Sequence, residues 1–383
     1  MNSTIENTIR NIIHSNELLR RINQKRIEKN IRLLNYEVEE AERIPEKKIS
    51  FIIKHREKYK NDIVGAEKQI QNLKARVEIN DEMTSDMLFC SIGYGFTPYE
   101  YIAYNFKQKR SFEERSSFLS DREVMQIVHL CNDPEDIQIF NDKANTYDHF
   151  KTYYGRKAIC IRSKEDQETF LAFIQDKQEI VVKEVNEAMG RSVELISLPG
   201  DRIEQVKLFE KLILKGQKLI IEERIRQNEK IANLNQSSVN TIRIITFNTH
   251  DGILAPYCFL KVGRNKSFVD NGGAGGLLIG VDIKTGITNT YGRDELGNVF
   301  EAHPNTGIKL KGFQLPAFEE AIALAKTISE KTAGVKYIGW DFAYTENGWD
   351  IVEGNGKSQL IGPQLTMQQG IKAEVMSIIQ KLS

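Results

Sequence analysis

Through residues 1–80 apolar side chains recur at intervals of three and four: Ile5, Ile9, Ile12, then Ile27, Ile31, Leu34, Val38 and Ala41. That spacing lines one face of a helix. Pro45 predicts an end to this helix near Glu42, because proline lacks an N–H and clashes with the turn before it. A second stripe, Ile49, Ile52, Ile53, Ile63, Ile70, Leu73 and Val77, predicts a second long helix. The pair can fold as a hairpin on the rest of the chain or extend as an oligomerising arm. The stripe lapses at Asn23–Arg26, so the pattern does not sustain an unbroken coiled coil.

After residue 84 the pattern changes. DMLFCSIGYGFTPYEYIAYNF is rich in aromatics and reads as a loop feeding a helix. SFLSDREVMQIVHLCND has a polar start and an apolar stripe at Val124, Ile127, Val128 and Cys131, the mark of a short helix. From about residue 158 strand-like and helix-like runs alternate: KAICIRS, EDQETFLAFIQDK, EIVVKEV, VELIS and KLIIEERI. TIRIITFN and APYCFLKVG follow as strands. Beyond them come a Gly-rich stretch, a helix through AFEEAIALAKTISEKT and a hairpin-like pair, YIGWDFAY and WDIVEGN. One final helix is expected over TMQQGIKAEVMSIIQKL. The alternation predicts an α/β or α+β body behind a helical amino-terminal region. We divide it into residues 1–80, a small mixed region 81–140, a lid 141–225 and a C-terminal part 226–383.

Charge and composition narrow the class. The 383 residues carry 53 Lys+Arg and 53 Asp+Glu, which argues against capture of nucleic acid or an anionic membrane by the whole chain. Residues 1–80 hold 17 of those cations, 12 of the carboxylates and a single glycine, Gly65, so the first boundary is also compositional. No apolar run approaches the roughly 20 residues of a membrane helix. The first residues lack a basic start and apolar block, so no secretory leader is expected. Cys90, Cys131, Cys160 and Cys258 lie far apart without a CxxC, and they read as packing residues of a protein in a reducing cytoplasm.

Three groups of residues could carry chemistry. Lys143 and Lys183 are lysines near a helix start and a strand end, and Lys183 precedes a polar loop containing Gly190. A lysine beside a flexible turn can hold phosphates through its charge and the loop N–H groups. Glu222 and Glu223 end an apolar strand whose main chain could meet a purine. Asp341, Glu353 and Asn355 form an all-oxygen set of the kind that suits Mg²⁺. Glu353 and Asn355, two apart, share a strand face. Asp341 joins them only if the hairpin has a three-residue loop, Glu346–Gly348, or a bulge. A two-residue Asn347–Gly348 loop would set Asp341 opposite Gly354 instead. His303 in HPNTG is a further candidate contact or acid–base group.

The ordered set Lys143, Lys183, Glu222-Glu223, Asp341, Glu353-x-Asn355 resembles the ATP-grasp superfamily. GYGFTPYEY, SSVNTIRIITFN, FVDNGGAGGLLIGVDIKTG, HPNTG, GWDFAY and VEGN resemble its sugar-transfer-associated branch over roughly residues 84–375. The resemblance implies an ATP-grasp fold, in which two α+β subdomains clamp a nucleotide. It implies ATP phosphates on Lys143 and Lys183, adenine against Glu222, Glu223 and Ile225, ribose near Glu229, with Gln227 and Asn228 as nearby rivals, and one or two Mg²⁺ on Asp341, Glu353 and Asn355. D-alanine ligases carry an arginine two residues before the matching aspartate, where this chain has Gly339. Arg243, with Lys261 or Arg264 next, is the expected substitute. The implied activity is an ATP-dependent carboxylate–amine ligase working through an acyl phosphate. Its small-molecule substrates would be a carboxylate and an amine, such as a sugar acid or amino acid in polysaccharide or modified-sugar biosynthesis. A kinase acting on a hydroxyl and a non-catalytic nucleotide-binding assembly protein are the alternatives. Residues 1–80 would serve a homo-oligomer or protein partner.

Overall fold

The computed structural model describes residues 17–186, 193–214, 216–265, 270 and 275–382. The Ile5–Ile12 stripe, the loop around Gly190 and most of Asn271–Gly276 lie outside the described residues. The chain divides into two compact units, Met1–Tyr101 with Phe106–Ser116, and Ile102–Asn105 with Ser117–Ser383. The junction at residues 80 and 81 therefore falls inside the first unit.

The first unit is helical. Its first helix among the described residues, Glu17–Arg43, ends where Pro45 demands it, and Pro45 opens the next, Pro45–His55. The expected second long helix is two helices, Pro45–His55 and Lys60–Lys74. Between Ile53 and Ile63 the only apolar side chain is Tyr59, too little to hold a continuous buried stripe. The expected loop near residue 84 is instead the helix Asp81–Gly93, with Asn80 Oδ1 accepting from Met83 N at 2.8 Å. It is buried around most of its circumference, at Met83, Asp86, Met87, Phe89, Cys90 and Ile92. A helix buried all round has no stripe to read. The Phe89 ring stands edge-on to Phe51, with centroids 5.2 Å apart.

The second unit holds two antiparallel sheets. In the first, β1 (Ala158–Ile161), β2 (Glu179–Glu184), β3 (Glu194–Ser197) and β4 (Leu219–Glu222) run in the order β1-β4-β2-β3. The helices Gln167–Ile174 and Arg202–Ile213 cover one face, packing Phe170, Leu171, Phe209 and Leu212 on Ile180, Val182, Leu219 and Ile221. Alternation then sends Lys183 and Glu222 to the opposite face, with Ile220.

The second sheet runs β11-β10-β5-β6-β7-β8-β9. Its strands are β5 (Thr241–Thr249), β6 (Gly252–Val262), β7 (Leu277–Val281), β8 (Gly292–Arg293), β9 (Val299–Phe300), β10 (Tyr337–Thr345) and β11 (Gly348–Asn355). The helix Phe318–Ser329 packs against it, and Ser329 Oγ accepts from Trp340 Nε1 at 2.8 Å. Asp341 and Arg243 are paired across β10 and β5 and point away from the Trp340 face. The final expected helix, from Thr366, is shorter: its first two residues close the helix Ile361–Met367 and its body is Lys372–Ile379. Gln368 between them is left-handed (φ 54°), and its side chain donates to the Ala103 and Leu365 carbonyls.

Candidate active site

On the four-stranded sheet, Lys183 Nζ meets Glu222 Oε2 at 2.7 Å. The same carboxylate oxygen accepts from Arg156 Nε and Nη2, each at 3.1 Å. Burial pushes the Glu222 carboxyl up, but the Arg156 and Lys183 charges outweigh it and hold the group at about 2. Its carboxylate is thus committed to two cations rather than open to an amine donor. Glu223 is engaged too, accepting from Lys157 N at 2.8 Å and meeting Lys177 Nζ at 3.2 Å. β4 stops at Glu222, so Glu223–Ile225 is irregular main chain, and Ile225 is half-buried. Asp142 caps the helix Lys143–Phe150, accepting from Ala144 N and Asn145 N at 2.9 and 3.1 Å. Lys143 N donates to Val185 O, and Lys143 Nζ to Glu184 O, both at 3.1 Å. Lys143 is thereby tied to the end of the strand that carries Lys183. Glu229 opens the short helix Glu229–Ala232 and is exposed, whereas neighbouring Gln227 is locked to the Asn240 main chain.

On the seven-stranded sheet, Asp341 lies opposite Glu353, the register the metal reading requires. It is reached by the bulge, not by a three-residue loop. Thr345 pairs with Gly348, leaving Glu346 and Asn347 as a two-residue loop, and the ladder shifts between Asp341 and Phe342, passing over Val352. Gly348 takes φ 101°, a conformation open to glycine. Arg243 grips Asp341 with both prongs, Nε to Oδ1 at 2.7 Å and Nη2 to Oδ2 at 2.6 Å. Lys261 adds a third contact to Oδ2 at 2.9 Å, and Arg243 Nη2 lies 3.6 Å from Glu353 Oε1. Burial raises the Asp341 carboxyl, but these two cations hold it at about 2. Asn355 Nδ2 approaches Glu353 Oε1 at 3.3 Å.

Of the three candidate cations, Arg243 and Lys261 meet Asp341. Arg264 binds Asp294 at 2.8 Å and the Gly275 carbonyl instead. The space of the missing arginine is filled. A Cβ on Gly339 would sit 2.2 Å from Ser358 Oγ, so a side chain there would have to displace Ser358, and Arg243 supplies positive charge from the adjacent strand. His303 is buried and bonded to the Gly263 carbonyl at 2.8 Å, and burial lowers its pKa, which suits a neutral packing role.

Two residues escaped the sequence reading. Asp270 is buried beside Lys261 (3.8 Å) and accepts from the Thr241 N–H and hydroxyl at 2.9 and 2.5 Å. Burial raises its pKa. Its position beside the glycine stretch was the only available signal. Arg156 precedes β1 in a segment with nothing to distinguish it from other arginines.

The donor chemistry fits Mg²⁺: Glu353, Asn355 and Asp341 offer hard oxygens on adjacent strands. Among the described residues, no three His, Cys, Asp or Glu side chains cluster closely enough to cage a metal. An ion here would therefore take phosphate oxygens or water as well, as Mg²⁺ does. Asp341 would have to share its carboxylate with Arg243 and Lys261.

No curated protein sequence is significantly similar to the chain. Among solved structures it is similar to D-alanyl-alanine synthetase A from Vibrio cholerae, with TM-score 0.41, 8% identity, and 65% of this chain and 66% of that one covered. It is also similar to the D-alanine–D-alanine ligase of Coxiella burnetii, with TM-score 0.41, 10% identity, and 68% and 64% covered. N5-carboxyaminoimidazole synthetase from Staphylococcus aureus, complexed with ADP, gives TM-score 0.42 and 11% identity, with 70% and 59% covered. The match spans less than two thirds of each of those enzymes' own chains. The sugar-transfer associated ATP-grasp family model matches residues 125–380, the span of both sheets and of every candidate residue above, and the chain belongs to that family.

Proposed function

We propose that the chain is an ATP-dependent carboxylate–amine ligase that forms an amide and releases ADP and phosphate. The observation that carries this reading is the cluster of Arg243, Lys261, Asp341 and Glu353 on one face of β5, β6, β10 and β11. It concentrates two cations, the buried Lys261 and the partly buried Arg243, and two carboxylates where negative charge would move during phosphoryl transfer. The substrate carboxylate would take the terminal phosphoryl group of ATP to give an acyl phosphate. The amine lone pair then attacks the acyl carbon, phosphate leaves, and the nitrogen gives up a proton. Bound Mg²⁺, held by Glu353 and Asn355 with Asp341, would neutralise phosphate charge. Lys143 and Lys183 would hold phosphates, with Glu223, Ile225 and Glu229 along the adenosine. Arg243 and Lys261 orient the anionic groups and stabilise developing charge without a side-chain nucleophile. The carboxylate in this reading is a sugar acid or amino acid of polysaccharide or modified-sugar biosynthesis, for which the family's association with sugar transfer is the support.

The test is ADP release against paired carboxylate and amine libraries, with mass spectrometry of the product. An amide formed with one ADP per product supports the reading. A phosphoester, or ADP release that persists in Glu353→Gln, rejects it.

A further inference from the structure

Arg156 joins the two sheets. Its Nε and Nη2 bind Glu222 of β4 at 3.1 Å, and its Nη1 binds Asp350 of β11 at 3.0 Å and the Ile351 carbonyl. Asp350 is fixed in turn by the Gly155 N–H at 2.8 Å, and the guanidinium rests over the Tyr154 ring, 4.9 Å from its centroid. Arg156, Glu222, Asp350 and Lys183 are all at least nine-tenths buried. Two cations thus balance two carboxylates.

The balance matters because Lys183 has two demands on it. It pairs with Glu222 at 2.7 Å, yet a phosphate ligand needs the same ammonium. If Lys183 were the only partner of Glu222, its departure would strand a buried carboxylate, an unfavourable exchange. Arg156 lessens that penalty. Its contacts to Glu222 survive when Lys183 turns away, and Asp350 keeps the guanidinium from following.

We propose that Arg156 is a positioning residue for nucleotide binding, the anchored counter-ion of Glu222 that frees Lys183 to exchange its carboxylate for a phosphate. The proposal rests on the reading of Lys183 as a nucleotide-site lysine. A lysine at position 156 keeps the charge but has no fork to hold Glu222 and Asp350 together, so Glu222 then leans on Lys183.

The experiment uses the full chain and two readouts. One is Mg²⁺–ATP affinity by calorimetry. The other, without nucleotide, is the acylation rate of Lys183 by an acetyl succinimidyl ester, followed by peptide mass spectrometry, with exposed Lys207 as internal standard. In Arg156→Lys, ATP affinity is expected to fall about tenfold. Acylation of Lys183 should slow severalfold relative to Lys207. Adding Glu222→Gln should restore the acylation rate, which a purely structural role would not do. If Arg156→Lys does not fold, Asp350→Asn, which loosens the anchor, should move both readouts in the same direction. Unchanged ATP affinity and Lys183 reactivity in Arg156→Lys, with ATP binding weakened in Lys183→Ala, overturns the inference alone. Unchanged ATP affinity in Lys183→Ala overturns the nucleotide reading as well.

Discussion

Arg243 stands directly across from Asp341 on neighbouring strands, and two residues before Asp341 Ser358 occupies the space a side chain on Gly339 would need. With positive charge supplied by β5, Gly339 is free to admit Ser358, whose Oγ would lie 2.2 Å from any Cβ there. Gly339→Ala should therefore overpack the strand and lower stability by about 1–3 kcal/mol, read by thermal unfolding. A melting temperature equal to that of the parent would show that Ser358 moves aside at no cost. Glu353→Gln tests the neighbouring position. Its side chain is partly exposed and lies 3.6 Å from Arg243, so the neutral isostere removes charge from the site and little from the core. Turnover should be lost with the unfolding temperature within a few degrees of the parent. Normal turnover would remove Glu353 from the site.

At the scale of elements, the helical unit is pinned by a buried ionic knot. Arg115, fully buried, binds both oxygens of Asp86 at 3.0 and 2.5 Å and Glu42 at 2.6 Å. Lys48 bridges the same two carboxylates at 2.6 and 2.7 Å, and the Tyr94 and Tyr101 hydroxyls donate to them at 3.0 and 2.8 Å. Five helices meet there. Burial pushes the Asp86 carboxyl up, but Arg115 and Lys48 prevail and bring it from the ordinary 3.8 to about 2. A depressed carboxylate pKa contributes stability that is complete above the unfolded value and is lost as pH falls through the folded one. Asp86 should thus contribute on the order of 2 kcal/mol at neutral pH, disappearing between about pH 4 and pH 2. Unfolding followed over that range should show a steep fall in the parent and a flatter one in Asp86→Asn, which starts lower. Parallel curves would remove Asp86 from the pH response. Arg115→Ala, which leaves two buried carboxylates sharing Lys48 as their cation, should cost about 3–5 kcal/mol, read by thermal unfolding.

At the scale of the whole molecule, the chemistry and the helical unit belong to different compact units, but their division does not fall at residue 80. Deleting residues 1–80 removes Phe51 from against Phe89 and Glu42 and Lys48 from the ionic knot. Met87 and Phe89, wholly buried in the full chain, would be uncovered. The truncated protein should aggregate, seen as a high-mass species in light scattering. A monodisperse truncation with an intact melt would show that the helix Asp81–Gly93 needs no cover from residues 1–80.

Sequence by itself determined the features that depend on local periodicity. The strands around Lys183, Arg243 and Glu353 were legible because alternation and β-branched runs mark them, and Pro45 fixed a helix boundary because its ring forbids continuation. The family was legible from motifs in a fixed order. Tertiary structure decided what depends on partners distant in the chain. The helix Asp81–Gly93 hid its identity because burial on all sides erased its stripe. The bulge over Val352 and the pairing of Asp341 with Glu353 follow from how β11 docks on β10, which no residue spacing states. The contacts of Arg156 with Glu222 and Asp350 reach across 66 and 194 positions. A buried charge is balanced by whichever opposite charge the fold brings near it, so only the assembled sheets could identify that partner.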